Sequence, residues 1–230
     1  MQVPDFTGRI CPEKRRQQGP ILPSQKPSVA VFDFGGVLID WNPRHLYRQL
    51  IADPAEMERF LAEVTTREWH QVQDQGGDPG QATRTLQARH PDKHDLIAAF
   101  YGRFDEMCAV AFPEMAAVVE RLHAAGTPLY LLSNAPNLID TWLRGAAAER
   151  HPFLSRFRDY VVSGNVKCSK PDRAIYDLAC RIGGFRPEDA VFIDDVLANA
   201  EGARAAGWSA IHHRSADQTA TELRALGFAV

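Results

Sequence analysis

The sequence predicts an α/β fold: a doubly wound, Rossmann-like parallel sheet core with a small helical cap inserted after the first strand. Three observations lead there. Five short apolar runs recur along the chain, continuous rather than alternating, as strands buried on both faces of a parallel sheet require. Stretches with helical spacing of apolar residues separate the later runs, and that alternation builds a sheet with helices on both faces and right-handed crossovers. Between Trp41 and about Phe112 no buried-strand run occurs, only helical stretches.

In chain order, residues 1–27 hold several prolines and a KRRQQ cluster, and are expected to form a flexible leader outside the core. VAVFDF (29–34) is the first strand run, broken by Gly35-Gly36. The helical insertion follows, with PAEMERFLAEV (54–64) behind Asp53, and Asp53 with Glu56 resembles a capping box. Met115, Val118, Val119 and Leu122 then mark a helix closed by Gly126. PLYLLSN (128–134) and DYVVSG (159–164) are the next strand runs. Ile175, Leu178, Ala179 and Ile182 mark a helix that starts from Pro171 and stops at Gly183-Gly184. AVFIDD (190–195) and SAIHH (209–213) complete the strand runs. The core is therefore expected over 28–41 and 112–230, and the cap over 42–111. An insertion after the first strand lies over the carboxyl ends of the sheet, the edge where open α/β sheets bind ligands.

Bulk properties narrow the partners. A length of 230 residues suits one well-filled α/β domain with a modest insertion. The formal net charge of −3 supplies no basic field, which argues against nucleic acid. No apolar run approaches a membrane span, and the first residues lack the apolar stretch of a secretion signal. Cys11, Cys108, Cys168 and Cys180 form no CxxC pair, so reduced thiols and a cytoplasmic location are expected. Monomer and homodimer both remain open.

The chemistry is carried by four strand ends: Asp33, Ser133-Asn134, Lys170-Pro171 and Asp194-Asp195. Each alone has a bland reading. Ser133-Asn134 could cap a helix before Pro136, Asp194-Asp195 could cap the next helix, and Lys167 rivals Lys170. Asn199 reads as a packing or hydrogen-bonding residue. Together the four predict more. Three carboxylates at one edge repel one another and need a cation to stay ionised. Hard oxygen ligands select Mg²⁺, which keeps waters and bridges to phosphate. Lys170 at a helix start, with Ser133 and Asn134 as donors, makes an anion site beside that metal site.

DFGGVL (33–38), LLSN (131–134), KPD (170–172) and FIDD (192–195) resemble the four ordered motifs of the haloacid dehalogenase (HAD) superfamily, and the likeness spans residues 29–207. The insertion resembles that superfamily's C1 helical cap. FDFGGV with IDDVLANAEGARAAG is most similar to a branch of sugar-phosphate phosphatases that includes an α-glucose-1-phosphatase. The resemblance implies a Mg²⁺-dependent phosphatase acting on a small phosphorylated metabolite. It makes Asp33 the nucleophile that forms an aspartyl-phosphate, and Lys170 the residue that stabilises it. Ser133 and the amide of Asn134 would hold phosphate oxygens. The metal would take Asp33, the Gly35 carbonyl, Asp195 directly, and Asp194 directly or through water. Gly36, Trp69 and His70 are the candidate substrate contacts. Trp41 and Asn42, at the hinge, face the substrate or simply pack.

One departure matters. Phosphatases of this superfamily usually carry a second Asp two residues after the nucleophile, as general acid and base, and this chain has Gly35 there. Such proton transfer is worth roughly 10²–10⁴-fold in rate. A good leaving group, such as a sugar 1-phosphate, lowers the need. Alternatively the cap supplies the proton, with His70 as the candidate and Asp74 one helical turn on along the same face. A third answer is a different reaction: a metal-independent dehalogenase-type hydrolase, or a non-catalytic binding protein on this fold.

Overall fold

The structure, a computed structural model, describes residues 26–230. The leader expected over 1–27 therefore lies almost wholly outside the described residues, as does Cys11. Cys108, Cys168 and Cys180 are free thiols.

All four residues of β1 (Val29–Phe32) are buried, so the strand has no solvent face. The chain then forms β2 (Ile39–Asp40) and enters six helices: α1 (Pro43–Tyr47), α2 (Pro54–Glu63), α3 (Arg67–Asp74), α4 (Pro79–Arg89), α5 (His94–Gly102) and α6 (Phe104–Met107). It returns through β3 (Val110–Ala111), which pairs antiparallel with β2. This small ribbon, too short to read as a strand run, joins the insertion to the sheet. Side-chain caps start three of the longer helices: Asp53 accepts from Ala55 N, Thr66 from Trp69 N, and Asp78 from Gly80 N and Gln81 N. The capping box expected at Asp53 is only half formed. Glu56 faces Lys93 at 3.4 Å instead.

The remaining elements are α7 (Pro113–Ala124), β4 (Leu129–Ser133), α8 (Leu138–Leu143), α9 (Ala146–Arg150), β5 (Asp159–Val162), α10 (Ser163–Val166), α11 (Arg173–Gly183), β6 (Ala190–Asp194), α12 (Leu197–Ala205), β7 (Ser209–His212) and α13 (Ala216–Ala225). The five long strands form one parallel sheet in the order β5-β4-β1-β6-β7. The chain winds outward from β1 to β4 and β5, then crosses to β6 and β7. The strand order thus reverses beside β1, which puts a ligand crevice at its carboxyl end.

Met115, Val118, Val119 and Leu122 are buried on α7 as their spacing predicts. On α11 the buried stripe is Ile175, Tyr176, Ala179 and Cys180, and Ile182 is 43% exposed. The strand expected to reach Gly164 stops at Val162, and Ser163 and Gly164 open α10. Gly164 packs tightly there: a Cβ would sit 2.6 Å from Asn137 N.

One face of the sheet buries Ile175, Tyr176, Phe192 and Trp208. On the other, a continuous apolar cluster runs from Phe32 and Leu122 into Leu46, Phe60, Ile97 and Phe100 of the insertion. Each such side chain contributes about 1.5–3 kcal/mol on burial, so the insertion is packed to the core and not merely tethered. Among the described residues no helix is long and apolar enough to cross a membrane.

Candidate active site

The four sequence-predicted strand ends meet at the carboxyl edge of the sheet. Asp33 continues β1, its N–H donating to Ile193 O at 2.8 Å. The chain then turns back sharply. Phe34 N donates to Asp33 Oδ1 at 2.7 Å, and Leu38 N and Ile39 N both donate to Phe34 O. Gly36 has φ +77°, and a Cβ on it would lie 2.3 Å from Asp195 Oδ2. Only glycine at this position combines that backbone with so close an approach of Asp195.

Lys170 is the hub. Its Nζ lies 2.8 Å from Asp33 Oδ1, 2.7 Å from Asp194 Oδ2 and 3.0 Å from Leu132 O, which uses all three of its protons. Asn134 fixes the lysine's backbone: its Nδ2 donates to Lys170 O and its Oδ1 accepts from Lys170 N, both at 2.9 Å. Asp194 is fully buried and saturated. Its Oδ1 accepts from Val196 N at 2.7 Å, and Asn199 Nδ2 lies 3.1 Å from both oxygens. Ser133 is buried, and its hydroxyl makes no hydrogen bond within the described residues, so it is free to serve a ligand. The rival Lys167 is exposed and sits against Gly76, outside the site.

The charges do not balance. Asp33, Asp194 and Asp195 each offer a carboxylate oxygen within 4.8 Å of the others, and among the described residues Lys170 is the one cation bonded among them. Burial pushes the Asp33 carboxyl up to about 7, with Asp194 adding to the rise and Lys170 and the Phe34 N–H opposing it. Burial likewise raises Asp195. For Lys170, burial works against the charge, but Asp33 and Asp194 outweigh it and hold the ammonium above its ordinary range. A further positive charge is what the cluster needs to ionise fully. The donors are hard carboxylate oxygens, with the Gly35 backbone alongside, and they fit a Mg²⁺-type cation.

A cavity of about 700 Å³ opens over this edge. The core contributes residues 33–36, 133–136 and 169–172, with Asp195, Val196 and Asn199 among others. The hinge contributes Trp41, and the insertion Arg67, His70, Gln71, Asp74, Gln75 and Phe104. Gly36 and His70 thus line the cavity. Trp69 does not: its ring packs against Phe100 and Tyr101, at 5.2 Å from each. Trp41 both packs and lines the cavity, stacked on His70 at 5.0 Å and 13°.

His70 Nδ1 is 3.0 Å from the Tyr101 hydroxyl, and its Nε2 is 3.5 Å from Asp74 Oδ1. Burial pushes His70 down to about 4 and Asp74 up to about 7, so near neutral pH this is no simple ion pair. The sequence reading missed Arg67, Gln71, Phe104 and Ser163. Arg67, His70, Gln71 and Asp74 follow i, i+3, i+4, i+7 spacing, a polar stripe that would have found the first two. Ser163 is a fifth polar strand end. Its hydroxyl accepts from Ala135 N at 3.0 Å and donates to the Asp74 carbonyl.

The family model described as haloacid dehalogenase-like hydrolase matches residues 27–207. A sesquiterpene phosphatase, astK of Aspergillus oryzae, is 25% identical over 86% of this chain and 95% of its own length. Among solved structures, a HAD-family enzyme of Bacteroides thetaiotaomicron, crystallised as a magnesium complex, is similar with a TM-score of 0.61. That likeness is at 19% identity over 83% of this chain and 94% of the other. An L-2-haloacid dehalogenase of Xanthobacter autotrophicus, with chloropropionic acid covalently bound, is similar with a TM-score of 0.57, at 17% identity over 89% and 85%.

Proposed function

Because the chain belongs to the haloacid dehalogenase-like hydrolase family, we propose that it is a magnesium-dependent phosphatase working through Asp33. The observation that carries this reading is the surplus of negative charge around the nucleophile. Asp195 lies beside Asp33 and Asp194 with no lysine or arginine paired to it among the described residues, an arrangement that serves a divalent cation. A hydrolase that attacks carbon without metal gains nothing from it. The family's phosphatase chemistry is also that of a relative aligned over most of both chains.

In this reading Asp33 attacks phosphorus with the oxygen not bonded to Lys170 and Phe34. Lys170 holds the other oxygen and steadies charge as the phosphoryl group moves. The Ser133 hydroxyl and the Asn134 N–H take phosphate oxygens. Asp33, the Gly35 carbonyl and Asp195 would hold the metal, which when bound neutralises charge on the transferring phosphoryl group. Asp194, saturated by Lys170, Asn199 and Val196 N, orients the lysine and would serve the metal directly or through water. Water then hydrolyses the aspartyl-phosphate. Residues 42–111 act as the cap, and Gly36 and His70 line the space for the rest of the substrate. The substrate is a small phosphorylated metabolite, with a sugar phosphate as the first class to try.

Phosphate release from a panel of phosphorylated metabolites tests this directly. Release should need Mg²⁺, stop with EDTA and vanish in Asp33→Asn. Turnover that survives complete metal removal would overturn the reading, as would halide release from 2-haloacids without metal.

A further inference from the structure

A phosphate ester leaves as an alkoxide unless its departing oxygen is protonated, and in an in-line displacement that oxygen lies opposite the nucleophile. Among the described residues of the core edge, the Ser133 hydroxyl would serve a phosphate oxygen and Asp195 the metal, and the rest hold no spare proton. Lys170 has committed all three of its own, Asp194 is bonded on both oxygens, and position 35 is glycine. Asp172 is exposed at the start of α11. The wall facing the core edge is α3, whose titratable groups on the cavity are Arg67, His70 and Asp74. An arginine keeps its proton. His70 is held neutral by burial, and both ring nitrogens already face protein groups, Nδ1 the Tyr101 hydroxyl at 3.0 Å and Nε2 the Asp74 Oδ1 at 3.5 Å.

We propose that Asp74 is the general acid and base of the hydrolysis, delivered to the phosphoryl site by a latch from α3 to Ser163; this rests on the phosphatase reading above. The latch places it. The Asp74 carbonyl accepts from Ser163 Oγ, which itself accepts from Ala135 N, two residues beyond Ser133. The latch therefore fixes the backbone at Asp74 beside the Ser133–Ala135 corner, and its side chain lines the same cavity as Ser133 and Asn134. Its side chain is 16% exposed and lines the cavity, and its buried Oδ1, 3.5 Å from His70 Nε2, has no hydrogen-bond partner.

The steps balance. As Asp33 bonds to phosphorus and the ester P–O bond breaks, the Asp74 proton passes to the departing oxygen and an alcohol leaves. Asp74, now a carboxylate, takes a proton from the water that attacks the aspartyl-phosphate. Inorganic phosphate leaves, Asp33 regains its carboxylate, and Asp74 is again protonated. Burial lifts Asp74 to about 7, which makes both forms available at neutral pH. Around it stand His70 and Tyr101, both neutral, with Arg67 earlier on α3, Lys167 beside Gly76, and Asp33, Asp172 and Asp195 on the core wall.

The experiment compares p-nitrophenyl phosphate with phenyl phosphate, whose leaving phenolate is the stronger base, on the magnesium-loaded protein, reading the first-turnover release of the phenol, a step that precedes water attack and so reports the acid role alone. Asp74→Asn should slow phenyl phosphate roughly 10²–10⁴-fold and change p-nitrophenyl phosphate little. Asp74→Glu should recover part of the phenyl phosphate rate. Equal losses on both esters, no loss on either, or a Glu variant no better than Asn would overturn the proposal. A misfolded Asn variant passes the decision to Glu, read against wild type on the same two esters: slowing confined to phenyl phosphate supports the proposal, and any other pattern overturns it. A wild type inactive on both esters, unchanged by Asp33→Asn, would sink the phosphatase reading and this proposal with it.

Discussion

His70 and Asp74 respond to pH in opposite directions. His70 is held at about 4, below its ordinary 6.5, so its contribution to stability is complete above 6.5 and is lost as pH falls through about 4. Asp74 is held at about 7, above its ordinary 3.8, so its contribution is complete below 3.8 and is lost as pH rises through about 7. In the wild type the two slopes oppose. Relative to it, Asp74→Asn should gain stability as pH rises from about 4 to 7, and His70→Phe should gain as pH falls from about 6.5 to 4. Each gain is on the order of 3 kcal/mol. Urea unfolding across this range measures it, and variant curves parallel to the wild type would refute the assignment. Residue identities at the strand ends were legible because Asp, Ser-Asn, Lys-Pro and Asp-Asp are specific in their order. Their partners were not. Nothing in the spacing of Asn134 and Lys170 announces a two-way backbone bridge, and the buried states of His70 and Asp74 depend on Phe100, Tyr101 and Phe104 from other helices.

At the scale of elements, α10 matters more than its four residues suggest. Ser163→Ala would leave the Ala135 N–H without its acceptor inside the protein and release the end of α3. The expected loss is about 1–3 kcal/mol, read from the urea midpoint. An unchanged midpoint would show that the latch bears no weight. The helix on 173–183 shows how far periodicity reaches. Ile175 and Ala179 were placed correctly, but Ile182 faces outward because Tyr176 and Cys180 belong to an adjacent stripe. That stripe packs Tyr176 edge-on to Trp208 and lets it donate to Asn199 O, contacts between distant segments on one face of the sheet that no local pattern encodes.

For the whole molecule, alternating strand and helix patterns made the doubly wound class legible, whereas the order β5-β4-β1-β6-β7 was not. Strand order depends on pairings between distant segments. The carboxylates at the centre of that sheet carry a global prediction. Magnesium that binds the folded chain should stabilise it by about 2.7 kcal/mol at a hundred times its Kd. For a protein of this size that is a Tm rise of about 5–10 °C. Scanning with and without Mg²⁺ measures the shift, and Asp195→Asn should abolish it. A Tm indifferent to Mg²⁺ in the wild type would contradict the proposed metal site.

The β2–β3 ribbon has an evolutionary consequence. Ile39 pairs with Ala111 and Asp40 with Val110, so the whole helical insertion leaves and re-enters the sheet domain side by side. To the strands beneath, it is a hairpin loop of unusual length. Loop closure costs only about 0.6 kcal/mol more for each doubling of length. Segments of different size can therefore be grafted at this neck while Asp33, Lys170 and Asp194 keep their places. The roof over the reaction and the reaction itself can then diverge at separate rates.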